Sequence, residues 1–426
     1  MTEDRVKKEL KGFSRFVLMQ VFIIGILWLA DTFFYFFEQN IFNTYVTNVL
    51  SLGDLYVSLM VGLSAAIGLI MNFTWGIVSD NTRSKYGRRR PFLLFSIFAG
   101  IGMILAAFSN SYILLIIFDV LLIGITANAV SVASRALIPD VVELEKRGRA
   151  NGIVQAVSYI GLIFGLAIFL LFGDALGSTN KAIALFSHII VLTLGGVVYL
   201  ASGIIGFAFI KEKPVSELPP KKKFTTELKE LVDISLLKDQ KNFFKVILAS
   251  SVYQTGIGTV MALLFPLLLS STFPFGMLDL LIAIAIGFIF LILCVIFLGR
   301  IADKYGRKKF LPLIILLISI AFFFIPLSIY SANFILFIIA TPFLLIGLLG
   351  LNTIINAWAQ DTLPEGKKGQ FYGIFNITLT IPQIIGGFVG GLISVTFGRP
   401  YIFIGGAIFF LISIPLFLIV KETLKK

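Results

Sequence analysis

The chain has 426 residues, 58% of them apolar and 14% charged, where a water-soluble domain carries about 25% charged. With one cysteine, Cys294, neither a disulfide framework nor a thiol metal site can be built. The formal net charge of +12 would suit a nucleic-acid partner, but the placement of the basic residues, described below, argues for a membrane instead.

Twelve apolar stretches follow one another: 16–40, 54–78, 91–109, 112–134, 149–172, 182–210, 242–270, 277–299, 310–330, 333–357, 369–397 and 400–420. Each is long enough to cross a bilayer as a helix. Strands are excluded, because an open sheet edge leaves backbone amides unpaired in lipid. The expected fold is an all-α membrane protein of two six-helix bundles, 16–210 and 242–420, with tails at 1–15 and 421–426 and a polar linker at 211–241. Within the linker, Phe224–Leu237 reads as an amphipathic surface helix. With twelve spans, 33 of the 35 Lys and Arg fall at the termini, in the loops on the terminal side or in the linker, leaving Lys181 and Arg399 opposite. The positive-inside rule then places both termini in the cytoplasm, and a cell-membrane location is expected.

The first span carries Trp28, Asp31, Tyr35 and Glu38, spaced by 3, 4 and 3 residues along one helical face. An aromatic plane beside a carboxylate suits a sugar, which stacks its apolar face and donates hydroxyl hydrogens. Asp31 lies about 22 Å along the span. Glu38 falls almost at its end and reads as a solvated interfacial acid. The second span has no deep acid, only Asn72. In the fourth, Asp119 lies about 10 Å below the outer face, at a depth similar to that of Asp31. A carboxylate at such depth is costly and marks a functional site by default. Gln155, Ser158 and Tyr159 follow in the fifth span. His188, in the sixth, reads as a packed residue. The second half offers neutral amides instead of deep acids: Gln254, Asn352 and Asn356, then Asn376, Thr380 and Gln383 at spacings of 4 and 3. Glycine clusters at Gly161 and Gly165 and at Gly386, Gly387, Gly390 and Gly391 fit close helix contacts.

One patch occurs twice. Gly76-Ile-Val-Ser-Asp80, followed by Lys85-Tyr-Gly87-Arg-Arg-Arg90, returns as Gly299-Arg-Ile-Ala-Asp303-Lys-Tyr-Gly306-Arg-Lys-Lys309. Asp140, Gly148 and Gly152 return as Asp361, Gly369 and Gly373. The offsets, 219 residues from Gly87 to Gly306 and 221 from Asp140 to Asp361, are about half the chain length, so two copies of one unit are joined head to tail.

These motifs resemble the loop between the second and third helices of the major facilitator superfamily. Ser79-Asp80-Asn-Thr-Arg83-Ser-Lys-Tyr-Gly87-Arg-Arg-Arg-Pro91, with Arg135-Ala-Leu-Ile-Pro-Asp140 and Arg147-Gly-Arg149-Ala-Asn-Gly152, resembles its glycoside–pentoside–hexuronide:cation symporters and the related sucrose transporters. The resemblance implies sugar-binding acids on the first and fourth helices, matched by Asp31 and Asp119. It also implies two cation-binding acids on the second helix, which this chain lacks. Na⁺ needs several oxygen ligands, whereas one acid can carry a proton, so a proton is the expected coupling ion. No cofactor, metal or catalytic residue is expected. The resemblance further implies a gate at the basic end built from Asp80, Arg88, Arg89, Arg135, Asp140, Asp303, Arg307 and Asp361, with Asp80 near Gly369 and Asp303 near Gly148. The expected function is import of a glycoside or disaccharide by proton symport with alternating access. The partners are a small-molecule substrate and the lipid bilayer, with no nucleic acid, and a monomer is expected. A proton-driven exporter of amphipathic compounds and a Na⁺-coupled sugar symporter are the alternatives.

Overall fold

The structure is a computed structural model. It describes residues 13–143, 146–212, 240–362 and 368–422 with five linker positions, and side chains for all but 295–305, 353, 357, 360, 368–373 and 376. Most of the expected linker helix, 224–237, lies outside the described residues.

Among the described residues, twelve helices are long and apolar enough to cross a membrane. In chain order they are α1 (Arg15–Thr44, prolonged by a π-helical turn Tyr45–Val49), α2 (Asp54–Asn81), α3 (Arg90–Ala107) and α4 (Tyr112–Val141). Then come α5 (Arg147–Leu176), α6 (Lys181–Phe209), α7 (Lys241–Leu268), α8 (Met277–Tyr305) and α9 (Arg307–Tyr330). The tenth, α10, has three segments, Phe334–Leu345, π-helical Ile346–Gly350 and Leu351–Asp361. It is followed by α11 (Lys368–Phe397) and α12 (Ile402–Leu418).

The first helix outruns its expected end at residue 40. Asn40 and Asn43 each donate to a carbonyl four residues back, both at 2.7 Å, and the Thr44 hydroxyl donates to the Ile41 carbonyl. Side-chain polarity satisfied in this way does not stop a helix, and α1 with its π turn spans 35 residues.

The chain forms two compact units, Met1–Leu50 with Ile67–Leu228, and Ser51–Ala66 with Lys229–Lys426. This differs from a linear division in one segment: the first half of α2 groups with the second unit. There a Cβ on Gly62 would meet the Phe388 ring at 2.7 Å, and one on Gly391 would meet the Ser58 hydroxyl at 2.3 Å.

Within each unit, repeat-equivalent helices pack backbone to backbone. In the first, α5 crosses α1, where a Cβ on Gly161 would lie 2.2 Å from the Leu29 carbonyl oxygen. In the second, α11 crosses α7, where a Cβ on Gly390 would lie 2.3 Å from the Thr259 carbonyl oxygen and one on Gly386 2.1 Å from that of Thr255. The glycine clusters of the sequence are therefore contact stripes.

The repeated loop is built alike in both units. Gly87 and Gly306 take φ of +112° and +90°, a conformation that favours glycine. Each is followed by a helix start whose free amides are held by a distant carboxylate. Glu212 accepts from the backbone N–H groups of Arg88, Arg89 and Arg90 at 2.6–3.0 Å. Glu422 accepts from the N–H of Lys308 at 2.9 Å. A carboxylate at a helix N-terminus satisfies orphan donors and the dipole together.

Ala substitution at Gly161 or Gly390 is expected to cost about 1–3 kcal/mol, the range for overpacking, read as a lower melting temperature of the purified protein. Gly148→Ala, where nothing lies within 4 Å of the new Cβ, should leave the transition in place.

Candidate functional site

Four groups of charged side chains stand out: one that occurs in both units, two in the first unit and one in the second. The first is the repeated loop. The Arg88 guanidinium grips Asp140, with Nε 2.9 Å from Oδ2 and Nη2 on Oδ1. Arg89 donates to Asp80 and to the Ser79 hydroxyl. In the second unit Arg307 pairs with Asp361 through Nη1 on Oδ2. Arg88 and Arg307 are repeat-equivalent, as are Asp140 and Asp361, so duplication has preserved the ion pair itself. The hydrogen bond that Arg88 donates to Asp140 pushes the guanidinium above its ordinary pKa. Asp80 is thus held within its own unit by Arg89, and by Arg88 at 3.7 Å. The Asp303 side chain lies outside those described.

The second group surrounds Asp31. Tyr199 of α6 donates to Oδ1 and Ser131 of α4 to Oδ2, both at 3.2 Å. Phe34 stacks on Tyr199 with ring centroids 4.1 Å apart and fixes its tilt. Arg135, expected among the loop ion pairs, belongs here instead: its Nη2 is 3.8 Å from Asp31 Oδ2 and its guanidinium carbon 5.9 Å from the Trp28 ring centroid. The reason is reach, since a long side chain near the end of α4 can extend along the helix to the buried acid. The Arg135 side chain remains 67% exposed. The Trp28 indole N–H is buried and has no hydrogen-bond partner.

Farther along α1, Glu38 is buried rather than solvated, a correction that follows from the longer helix. Its carboxyl group is hydrogen-bonded to that of Asp119, which is 1% exposed. Tyr35 is half-buried on the same face of α1, between Asp31 and Glu38. His188 is packed, with Nδ1 2.7 Å from the Ala184 carbonyl and Nε2 3.0 Å from the Thr44 hydroxyl. On α5, Gln155 donates to Ser158 at 3.0 Å, and Tyr159 is exposed.

In the second unit an amide chain crosses three helices. Gln383 of α11 donates to Gln254 of α7 at 2.8 Å, and Gln254 donates to Asn352 of α10 at 2.7 Å. The Asn356 carbonyl oxygen is buried without a partner. The Asn376 side chain lies outside those described. At the opposite end of this unit stands an ion pair that the sequence reading passed over. Arg399 holds Asp54 with Nε 2.9 Å from Oδ2 and Nη2 2.8 Å from Oδ1, and it donates to the Pro266 carbonyl at 3.1 Å. Ser394 also donates to Asp54. Arg399 stood out only as one of two basic residues on the poorer side.

Removing one partner of a buried ion pair costs about 3–5 kcal/mol, and the 22% exposure of Arg399 lowers that figure. Arg399→Gln should therefore lower the melting temperature, and adding Asp54→Asn should restore part of the loss. Additive losses would show the pair to be uncoupled.

Comparison with known proteins places the chain. The Major Facilitator Superfamily profile matches residues 27–387 and 282–426. A relative in Bacillus subtilis (strain 168), the uncharacterized MFS-type transporter YqjV, is 25% identical over 375 residues, covering 84% of this chain and 83% of its own length. Among solved structures, a D-xylose-proton symporter matches with TM-score 0.70 at 13% identity, over 95% of this chain and 99% of its own. The nucleoside transporter NupG matches with TM-score 0.68 at 13% identity, over 95% and 98%. At that identity the structures speak for the fold alone, while the profile spans most of the sequence. The chain belongs to the Major Facilitator Superfamily: it is an integral membrane transporter of small molecules, not an enzyme.

Proposed function

We propose that the protein is a proton-coupled sugar symporter of the glycoside–pentoside–hexuronide type, importing a glycoside or disaccharide by alternating access across the cell membrane. The observation that carries this reading is the buried, unpartnered Trp28 N–H beside Asp31. A buried donor without an acceptor costs about 1–3 kcal/mol, a cost that a hydroxyl-bearing ligand relieves by accepting from it. The neighbouring indole face and carboxylate suit the two sides of a sugar. Neutral amides on α7, α10 and α11 can exchange their mutual hydrogen bonds for hydroxyls without burying a charge.

The coupling ion is read from the acids. Between Asp54 and Asp80 the second helix carries none, and Asp54 is spent on Arg399. Asp119 is buried with no cation beside it among the described residues, which suits a proton carrier. The basic end, with its repeated arginine–aspartate pairs, faces the cytoplasm with both termini, as the one-sided placement of Lys and Arg supports. There the duplicated pairs serve as a latch whose strength biases the conformational equilibrium.

The test is uptake into proteoliposomes from a panel of labelled sugars under an imposed pH gradient, an Na⁺ gradient or none. Concentrative uptake of at least one sugar under the inward proton gradient alone is expected, and Asp119→Asn should abolish it. Uptake driven by Na⁺, or none for any sugar, would refute the reading. Trp28→Ala and Gln254→Ala should each weaken sugar affinity about tenfold, the equivalent of about 1.4 kcal/mol, measured by calorimetry. Unchanged affinity in both would exclude these side chains from sugar binding.

A further inference from the structure

In the first unit Glu38 of α1 and Asp119 of α4 face each other. They are 8% and 1% exposed, and their carboxyl groups share a hydrogen bond. An ionised carboxylate only accepts hydrogen bonds, so that contact requires a proton on one of the two. Among the described residues, Glu38 is the one charged group that acts on Asp119, and Asp119 Oδ1 is buried with no hydrogen-bond partner.

Helix α5 packs on Phe36 through Gly165, and α2 packs through Ile67 on Gly124; neither stretch around these contacts, 160–173 or 57–79, has a titratable side chain. On α1, Tyr35 lies between Asp31 and Glu38. On α4, Arg135 is engaged by Asp31. On α6, Tyr199 bonds to Asp31, and His188 bonds to Thr44 and Ala184. Helix α3 packs through Gly102 on Leu122 and Ile123, and its segment Phe95–Ala107 has no titratable side chain. The backbone that presents Asp119 is itself unusual, since Ile117–Ile123 is a π-helical stretch inside α4, a distortion frequent at functional sites.

We propose that Glu38 and Asp119 form a single proton-binding site, a carboxyl pair that carries the coupling proton as one shared hydrogen. The proposal rests on the proton-coupled reading above and adds a second residue and a chemical form. Loading adds one proton to the pair and makes no covalent bond between the acids. Unloading leaves two carboxylates that repel each other, so the emptied pair is stabilised when water or a cation reaches it. Proton occupancy is thereby tied to the opening of this part of the first unit. Asp31 is excluded from the role, because its oxygens are already satisfied by two hydroxyls and a guanidinium.

The test is infrared spectroscopy of the purified protein through a pH titration, following the carbonyl stretch of protonated carboxyl groups, with circular dichroism to verify that each variant is folded. Wild type should retain a protonated-carboxyl band at neutral pH. Glu38→Gln and Asp119→Asn should each remove it, and Asp31→Asn should keep it. Glu38→Asp, which retains the carboxyl, should show the band at a shifted position. A band that survives both substitutions, or that disappears with Asp31→Asn, would overturn the site. A band lost in one variant and kept in the other would assign the proton to a lone acid and overturn the pair. This readout needs no substrate. Should no sugar be transported, the symport reading fails while the pair still stands or falls on its band.

Discussion

A carboxylate withdrawn from bulk water is stable only if something nearby neutralises it or donates to it, and the internal architecture of both units follows from how these acids meet that demand. Asp140 and Asp361 take an arginine from the adjoining helix start. Glu212 takes backbone amides instead of a side-chain cation. Asp54 takes the guanidinium of Arg399 and the hydroxyl of Ser394. Asp31 takes two hydroxyls and a more distant guanidinium. Glu38 and Asp119 take each other, with a proton between them. The first three solutions are closed and serve the fold. Beside Asp31 the buried Trp28 N–H has no acceptor, and at the acid pair Asp119 Oδ1 has no hydrogen-bond partner, and so these two places carry the functional reading.

Duplication explains why so much of this scheme recurs. A loop that turns through a left-handed glycine, starts a helix with a basic run and pairs its first arginine with the aspartate at the end of the helix after next is found in both units. The carboxylate that caps the new helix is also doubled, as Glu212 and Glu422. Their offset of 210 residues differs from the 219 and 221 of the loop motifs. The functional content is not doubled in this way. The acids at depth lie in the first unit and the amide chain Gln383–Gln254–Asn352 in the second.

The twelve spans and the duplication were legible in the sequence because apolar length and exact-offset motifs survive without any knowledge of packing. The resemblance implies an acid partner for Arg88 and Arg307, and the structure supplies its identity, Asp140 and Asp361. Glu38 was misjudged because Asn40, Asn43 and Thr44 look like the end of a span, while each in fact bonds to its own helix and lets it continue. Arg135 was assigned to the loop because position along the chain gives the height of its Cα and not the reach of a long side chain. Asp54 and Arg399 are 345 residues apart, a separation at which composition and periodicity give no signal. Glu212 was hidden in a linker whose charge reads as solvated.

Proton coupling is the central claim, and it is tested most directly by watching the proton. Proteoliposomes holding a pH-sensitive dye, with no gradient imposed, should show lumen acidification when a transported sugar is added outside. The signal should vanish in Asp119→Asn. Sugar entry that leaves the lumen pH unchanged would contradict the account.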